Sequence, residues 1–139
     1  MLNKVLLIGR LGADPEIRYT SDGEPIANFH LATLERWVDK NRELQERIDW
    51  HRIVAFGRLA NFCADSLKKG KMIFVEGALK NRSYEDQDGN KRYVTEVVAR
   101  SILILATPQK AGSQNNSQKE SKPNQADQEN YNYEDDLPF

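Results

Sequence analysis

Aromatic and basic side chains alternate along one segment of the chain, in a pattern suited to binding nucleic acid. In an extended backbone Trp50, Arg52 and Phe56 would share one face, because successive side chains of a strand point to opposite sides. A base stacked on an aromatic ring contributes ~1–3 kcal/mol whatever its identity, and a cation between the rings can meet phosphates. Two further pairs of this kind are Trp37 with Lys40 and Arg82 with Tyr84.

Arg52 decides between two interpretations of these rings, since a strand tryptophan is more often a core residue than a platform for a ligand. A barrel interior does not accept an unpaired guanidinium. The face that carries Arg52 should therefore be exposed, and Trp50 and Phe56 with it. The inference would fail if Arg52 were buried in an ion pair with Asp49 or Glu96.

The last six residues, 134–139, are a second candidate for function, with three carboxylates before the apolar tip Leu137-Pro138-Phe139. Phe139 also carries the terminal carboxylate, so a pocket on another protein could capture ring and carboxylate together. A tail that only keeps the protein in solution would have the same composition. These residues alone support the two interpretations about equally.

Catalysis and metal binding find little support in the sequence. The two histidines, His30 and His51, lie in predicted strands, and no Cys/His cluster or Gly-rich phosphate loop is present. Segment 86–90 begins like a calcium loop but lacks the later Glu, so a hairpin turn explains it better. We therefore expect no enzyme activity, no cofactor and no metal.

The composition agrees with a location in the cytoplasm. Cys63 is the single cysteine, so no intrachain disulfide can form, which fits a reducing compartment. The apolar run near the N-terminus, Val5 to Ile8, is too short for a signal peptide or a membrane span. We expect no contact with membranes.

The elements that must position these residues follow the order three strands, one helix, two strands. Strands are predicted at 3–11, 26–33, 48–56, 72–79 and 93–105, with a loop over 12–23 and a hairpin turn at 86–90. Helical spacing runs from Leu59 to Lys69, with Gly70 at the C′ position. This order predicts an all-β fold, a five-stranded OB barrel with its helix between strands 3 and 4. An SH3-like barrel or a small α+β domain would also fit the pattern.

Charge and composition divide the chain into unlike parts. Residues 1–107 carry 17 Lys and Arg against 15 Asp and Glu, a net charge of +2, whereas residues 108–139 carry 3 against 6, a net charge of −3. A net charge of +2 is weak evidence for a nucleic-acid partner. We predict an OB-fold domain over 1–107, a disordered linker over 108–133 that is rich in Gln, Asn and Ser, and a docking peptide over 134–139.

Several stretches, taken together and in order, resemble the bacterial single-stranded DNA-binding proteins. The matching stretches are NKVLLIGRLGADPEIRY, WHRIVAFGRLA, LKKGKMIFVEGAL, RYVTEVVA and the terminal DDLPF. They span residues 1–107 and the last six residues. The resemblance implies an OB barrel that assembles as a homotetramer and binds single-stranded DNA without sequence preference.

The resemblance also implies roles for individual residues. The stacking aromatics would be Trp37, Trp50, Phe56 and Tyr84. The cations that contact phosphates would be Lys4, Arg18, Lys40, Arg52, Arg58, Lys69 and Arg82. His51 would lie at or near a subunit interface. Replication, recombination and repair enzymes would dock on the terminal peptide, through Asp135, Asp136, Leu137, Pro138 and Phe139, in a protein associated with the nucleoid.

Three alternatives remain at this point. A primosomal OB protein has the same ancestry but lacks an acidic tail. An enzyme subunit or nuclease built on an OB barrel would cleave bare strands with a metal. A protein that serves only assembly, through its tail, would bind no DNA.

Overall fold

Five long strands form a closed barrel in the computed structural model, which describes residues 1–108. The elements, in chain order, are β1 (Val5–Leu11), β2 (Glu16–Tyr19), β3 (Pro25–Val38), β4 (Leu44–Phe56), α1 (Arg58–Ser66), β5 (Met72–Glu85) and β6 (Lys91–Ala106). The strands pair in the order β1-β5-β6-β4-β3, and β3 pairs back with β1 to close the barrel. The short strand β2 pairs with the outer edge of β3.

This connectivity confirms the predicted OB fold. The helix α1 lies between the third and fourth strands of the barrel, β4 and β5, as that fold requires. The strand β6 closes against β4 through a short parallel pairing at Ile53 and Val54, while the other barrel pairs are antiparallel. The SH3-like and α+β alternatives do not have this arrangement.

Closure depends on a close approach of β1 to β3 at Gly9. A Cβ at this position would lie 2.3 Å from the backbone oxygen of Ala32. Glycine at this position lets β1, which stays paired with β5, also pair its last residues, Arg10 and Leu11, with β3.

The core takes the odd-numbered side chains of β3 and β4. Phe29, Leu31 and Ile53 are buried there, as are Val75 of β5 and Leu67 after α1. Because side chains alternate, the even-numbered residues of both strands point to the outside of the barrel. In β3 this alternation places Phe29 and Leu31 inside and His30 outside.

Two expectations about local structure are wrong. The helix ends at Ser66 rather than Lys69, because Leu67 takes an extended conformation and inserts its side chain into the core. Gly70 does adopt a left-handed backbone, with φ of 84°, but in a turn closed by a hydrogen bond from Lys71 N to Lys68 O. The segment predicted as a loop over 12–23 contains the strand β2.

Both hairpin tips are built around an aspartate. At the β3–β4 tip Asp39 accepts hydrogen bonds from the backbone N–H groups of Asn41 and Glu43. At the β5–β6 tip Asp86 accepts them from Asp88 and Asn90 in the same way. The turn predicted at 86–90 is confirmed, and each aspartate satisfies donors that the turn leaves unpaired.

Candidate nucleic-acid interface

A cleft of about 310 Å³ lies on the outer surface of the barrel, across five strands. Its lining residues are all even-numbered and come from β2, β3, β4, β5 and β6. They are Glu16, Arg18, Ile26, Asn28, Arg52, Val54, Phe56, Arg82 and Glu96. The register explains this set, because Arg18 pairs with Ile26 and Ile26 in turn pairs with Phe56. Cross-strand partners share one face of a sheet, so these side chains form one surface.

Exposed aromatic rings line and flank this cleft. Trp50, Phe56 and Tyr84 each expose about half of their surface. Phe56 lines the cleft itself, and the Arg82 guanidinium lies 5.8 Å from the centre of the Tyr84 ring. These rings present flat faces with cations beside them, an arrangement that fits stacking of bases.

The backbone of Gly12 provides the surface on which the Trp50 ring lies. A Cβ at Gly12 would come within 2.5 Å of Cζ3 and 2.7 Å of Cη2 of Trp50. The missing side chain therefore makes room for the indole, which lies beside the backbone just after β1. No sequence pattern pointed to this role for Gly12.

Arg52 does form an ion pair with Glu96, but its side chain is not buried. The Nε of Arg52 lies 3.5 Å from Oε2 of Glu96, and the Arg52 side chain keeps 39% of its surface exposed. The prediction that Trp50 and Phe56 share an exposed face with Arg52 is confirmed. Val54, on the same face, is buried at 4% exposure, so it forms the floor of the cleft between them.

Trp37 lies apart from the other rings. It pairs with Gln45, whereas Trp50 pairs with Ala32, and the β3–β4 register has no interruption between these pairs. Alternation then puts Trp37 on the opposite face of the β3–β4 ribbon from Trp50. The ribbon extends past the barrel there, so Trp37 is also exposed.

The predicted cations fall into two groups. Three of them line the cleft: Arg18, Arg52 and Arg82. Arg18 is held by Glu16 at 2.8 Å, through a pair of hydrogen bonds to one carboxylate oxygen. The other four lie outside the cleft, Lys40 at the β3–β4 tip, Arg58 at the start of α1, Lys69 in the turn before β5, and Lys4 in a 2.8 Å ion pair with Glu76.

Sequence reasoning did not assign several polar residues of this surface to the site, among them Asn28, His30 and Glu96. Asn28 and Glu96 line the cleft, and His30 is exposed and pairs with Arg52 across β3 and β4. In β3, polar residues alternate with apolar ones, and this pattern could have assigned Asn28 and His30 to the exposed face. Glu96 had no local signal, because its neighbours Arg52 and Arg82 come from other strands.

His51 occupies the inward-pointing side of β4 and is half-buried. Its Nε2 lies 2.7 Å from the hydroxyl oxygen of Thr33 on β3. Its assignment to a subunit interface stays a prediction. The predicted linker from residue 109 onward and the docking peptide with Asp135, Asp136, Leu137, Pro138 and Phe139 lie outside the described residues.

Groups capable of catalysis are sparse over residues 1–108. In this part of the chain no three His, Cys, Asp or Glu side chains are grouped so that they could hold a metal ion. Burial raises the pKa of the Cys63 thiol to about 12, so the thiolate is scarce at neutral pH. Among the same residues, no helix has the length and apolar character to span a membrane.

Comparison with known proteins identifies the family of this chain. The sequence model of the single-strand binding protein family matches residues 2–105. The chain belongs to this family. The Single-stranded DNA-binding protein 1 of Chlorobaculum tepidum is 40% identical over 99% of this chain and 98% of its own length. The protein of the same name from Xylella fastidiosa is 49% identical over 78% of this chain and 80% of its own length.

Two solved structures of the family have the same fold. A Plasmodium falciparum single-strand binding protein in complex with single-stranded DNA superposes with a TM-score of 0.71, at 34% identity, over 76% of this chain and 97% of its own. A deletion mutant of the single-stranded DNA-binding protein from Thermus aquaticus superposes with a TM-score of 0.67, at 40% identity, over 76% of this chain and 51% of its own. The family's barrel is thus the barrel described above.

Proposed function

We propose that the protein is not an enzyme but binds single-stranded DNA, without sequence preference, along the cleft and its flanking rings. The observation that carries the proposal is the exposed surface on which Trp50, Phe56 and Tyr84 alternate with Arg52 and Arg82. Relatives named for single-stranded DNA binding support it, as does the solved complex of a family member with such DNA.

Binding would combine two kinds of contact. Bases stack on the rings, which tolerates every base because each has an apolar flat face. The arginines neutralise phosphates and release counterions, so affinity falls as salt rises. A duplex hides the faces of its bases and should bind much more weakly.

Titration with an oligonucleotide of deoxythymidine tests the proposal directly. Stacking should quench the intrinsic tryptophan fluorescence, and the midpoint should move to higher DNA concentration when the salt concentration is raised. The same oligonucleotide annealed to its complement is the matched control. Equal affinity for the single strand and the duplex would contradict the proposal.

We also propose that the protein assembles as a homotetramer through an outer apolar face. This face consists of Leu6 and Ile8 of β1, Phe74 of β5 and Leu103 of β6. Ile8 pairs with Phe74 and Phe74 with Leu103, so the three form one row across three strands. Leu6, Ile8 and Leu103 are each more than half exposed. A contiguous apolar surface of this kind marks a protein interface.

His51 is proposed to lie at or near an interface between subunits. The substitution His51→Tyr, which adds a bulky ring, should then shift the assembly toward monomers at low concentration. Light scattering at micromolar protein measures this shift. A wild-type protein that is monomeric at that concentration would exclude the tetramer.

The proposed role in replication, recombination and repair rests on the terminal peptide. Phe139 and its carboxylate would enter a pocket beside an Arg or Lys of the partner enzyme, and Asp135 and Asp136 would meet a basic rim. Deleting Leu137-Pro138-Phe139 should abolish recovery of such enzymes from a DNA-free extract and leave strand binding intact or slightly stronger. Recovery of the same enzymes by the truncated protein would reduce the tail to a solubilising extension. This role implies a cytoplasmic location at the nucleoid.

A further inference from the structure

Glu96 is a carboxylate in a cleft that is proposed to receive phosphates. It is only 8% exposed and lies between two arginines of that cleft. Its Oε1 accepts a hydrogen bond from Nε of Arg82 at 3.1 Å, and its Oε2 lies 3.5 Å from Nε of Arg52. A negative charge here repels DNA, and burying it costs desolvation energy. Its presence therefore calls for a compensating role.

The sheet register brings the three side chains together. On one side β6 runs parallel to β4, with Ile53 beside Val97, so Glu96 reaches the neighbourhood of Arg52. On the other side Glu96 pairs with Lys80 of β5, and Arg82 is two residues further along the same face. The carboxylate thus spans two strand pairs and touches an arginine from each.

The carboxylate holds both arginines by the inner part of the guanidinium. The contacts are made at Nε, while the two side chains keep 39% and 45% of their surface exposed. The outer parts of Arg52 and Arg82 therefore stay accessible in the cleft. Nε of Arg52 and Oε2 of Glu96 are sealed from solvent and have no hydrogen-bond partner, so the contact between them is an ion pair at 3.5 Å rather than a hydrogen bond.

We propose that Glu96 is a positioning residue, which anchors Arg52 and Arg82 from beneath so that both guanidinium groups meet the phosphates of a bound strand. This inference rests on the proposed function of the cleft. Without the anchor, two flexible cations would repel each other and would have to be ordered at the moment of binding, which weakens binding. The three groups together carry a net charge of +1. The cluster therefore still attracts phosphates although it contains a carboxylate.

Removing the charge of Glu96 separates this role from simple repulsion, because the two predict opposite signs. If Glu96 only repelled phosphates, Glu96→Gln would tighten binding. As an anchor, its loss should weaken binding to an oligonucleotide of deoxythymidine by about tenfold, equivalent to one hydrogen bond to a charged group. Glu96→Asp keeps the charge but retracts the carboxylate by one methylene, and should also weaken binding.

The salt dependence of DNA affinity distinguishes the proposed role from a merely structural defect, which would leave that dependence unchanged. For single strands, each phosphate contact contributes about 0.7 to the slope of log K against log salt. The slope for Glu96→Gln should therefore fall by up to about 1.4 if both arginines lose their phosphates. Asp65→Asn, on an exposed position of α1, removes one carboxylate outside the cleft and should leave affinity and slope at the wild-type values.

The titrations are done at several salt concentrations with the full chain, and circular dichroism checks that each variant is folded. If both Glu96 variants fail to fold, Arg82→Lys replaces them. Lysine keeps the charge but has a single side-chain nitrogen, which cannot pair with Glu96 and meet a phosphate as the separate nitrogens of arginine can, so the slope should fall by about 0.7. Tighter or unchanged binding by a folded variant overturns the inference, and so does weaker binding with the wild-type slope. A wild-type protein that does not bind overturns the proposed function itself, and the inference with it.

Discussion

The strand β5 contributes to two exposed surfaces that differ in kind. Near its start, Phe74 belongs to the outer apolar face, between Ile8 and Leu103. Near its end, Arg82 lines the cleft and Tyr84 flanks it. All three residues are even-numbered and lie on the same side of the strand, because the extra residue of the bulge, Arg100, lies on β6. The same side of β5 therefore contributes to an apolar surface near the start of the strand and to a surface of aromatic rings and cations near its end.

The difference teaches that exposure alone does not tell what a surface binds. Leu103 is 56% exposed and Phe56 is 50% exposed, so the exposed fraction does not distinguish the two surfaces. Aliphatic side chains without interleaved cations gain only by excluding water against another apolar surface, which a second copy of the chain can provide. Flat rings beside arginines suit a ligand that is itself flat and charged, such as a strand with unpaired bases. Four predictions test this separation, in order of decreasing effect.

The largest effect is expected from a charge placed in the outer apolar face. Leu103→Asp would bury an unpaired carboxylate in the proposed interface, at a cost of on the order of several kcal/mol. The assembly should dissociate, which light scattering measures as a drop in mass. Leu44→Asp is the matched control, since Leu44 is also a strand leucine that is more than half exposed and it lies outside this face. A Leu103→Asp protein of wild-type mass would show that the face is not an interface.

The next effect is expected from loss of one ring in the cleft. Phe56→Ala should weaken binding of single-stranded DNA by about 1–3 kcal/mol per contacting subunit, the range for one stacked base, and should leave the assembly unchanged. Tyr93→Ala serves as its control, because Tyr93 pairs with Ser83 and lies on the other side of the hairpin from Tyr84. Equal losses of DNA affinity in the two variants would contradict the proposal that the cleft is the DNA-binding surface.

A smaller effect is expected from filling the space beneath Trp50. Gly12→Ala places a Cβ where the indole now lies, so the ring must move away from its position. Because the ring is half exposed, it can move at little cost to folding, and binding should weaken by only part of the ~1–3 kcal/mol of a stacked base. In a Trp37→Phe background the emission of Trp50 reports the displacement. An emission spectrum and affinity identical to those of the background would contradict the assignment.

The smallest effect is expected at the β5–β6 tip in acid. The Arg92 side chain, followed by the backbone N–H groups of Asn90 and Asp88, holds the pKa of Asp86 below its usual value of 3.8. The folded-state pKa is the lower one, so the stabilisation is complete above pH ~4 and disappears as pH falls through the folded-state value. The tip beside Tyr84 should then loosen, while the outer apolar face stays unaffected.

Comparison with Asp86→Asn isolates this carboxylate. Wild type should be more stable than the variant above pH ~4, and the difference should shrink as the pH is lowered further. Chemical denaturation at a series of pH values measures it. A difference that stays constant through the acid range would mean that Asp86 contributes nothing by its charge.

The order of the main strands and the helix, the faces of the central strands and the β5–β6 hairpin turn could be predicted from local pattern. Phe29 and Leu31 alternate with Asn28 and His30, and this period of two is itself the property that a half-buried strand imposes. Asp86 and Gly89 mark their turn because the turn needs a side-chain acceptor and a left-handed residue. Arg52 indicated an exposed face because a lone guanidinium is too costly in a core.

Other features depend on pairings that no local pattern contains. The strand β2 is too short and polar to be recognised before β3 offers it an edge. The row of Ile8, Phe74 and Leu103 exists only in the register of three strands. The helix ends early because Leu67 is needed in the core.

The sequence by itself determined which residues could stack, neutralise phosphates or bury, since these are properties of side-chain chemistry and strand period. Only the tertiary structure decided which of them meet. It put Trp37 on the opposite face from Trp50, Lys4 beside Glu76 rather than in the cleft, and Glu96 between Arg52 and Arg82. The physical reason is that barrel closure joins strands distant in sequence, and the register of those pairings depends on the whole core at once.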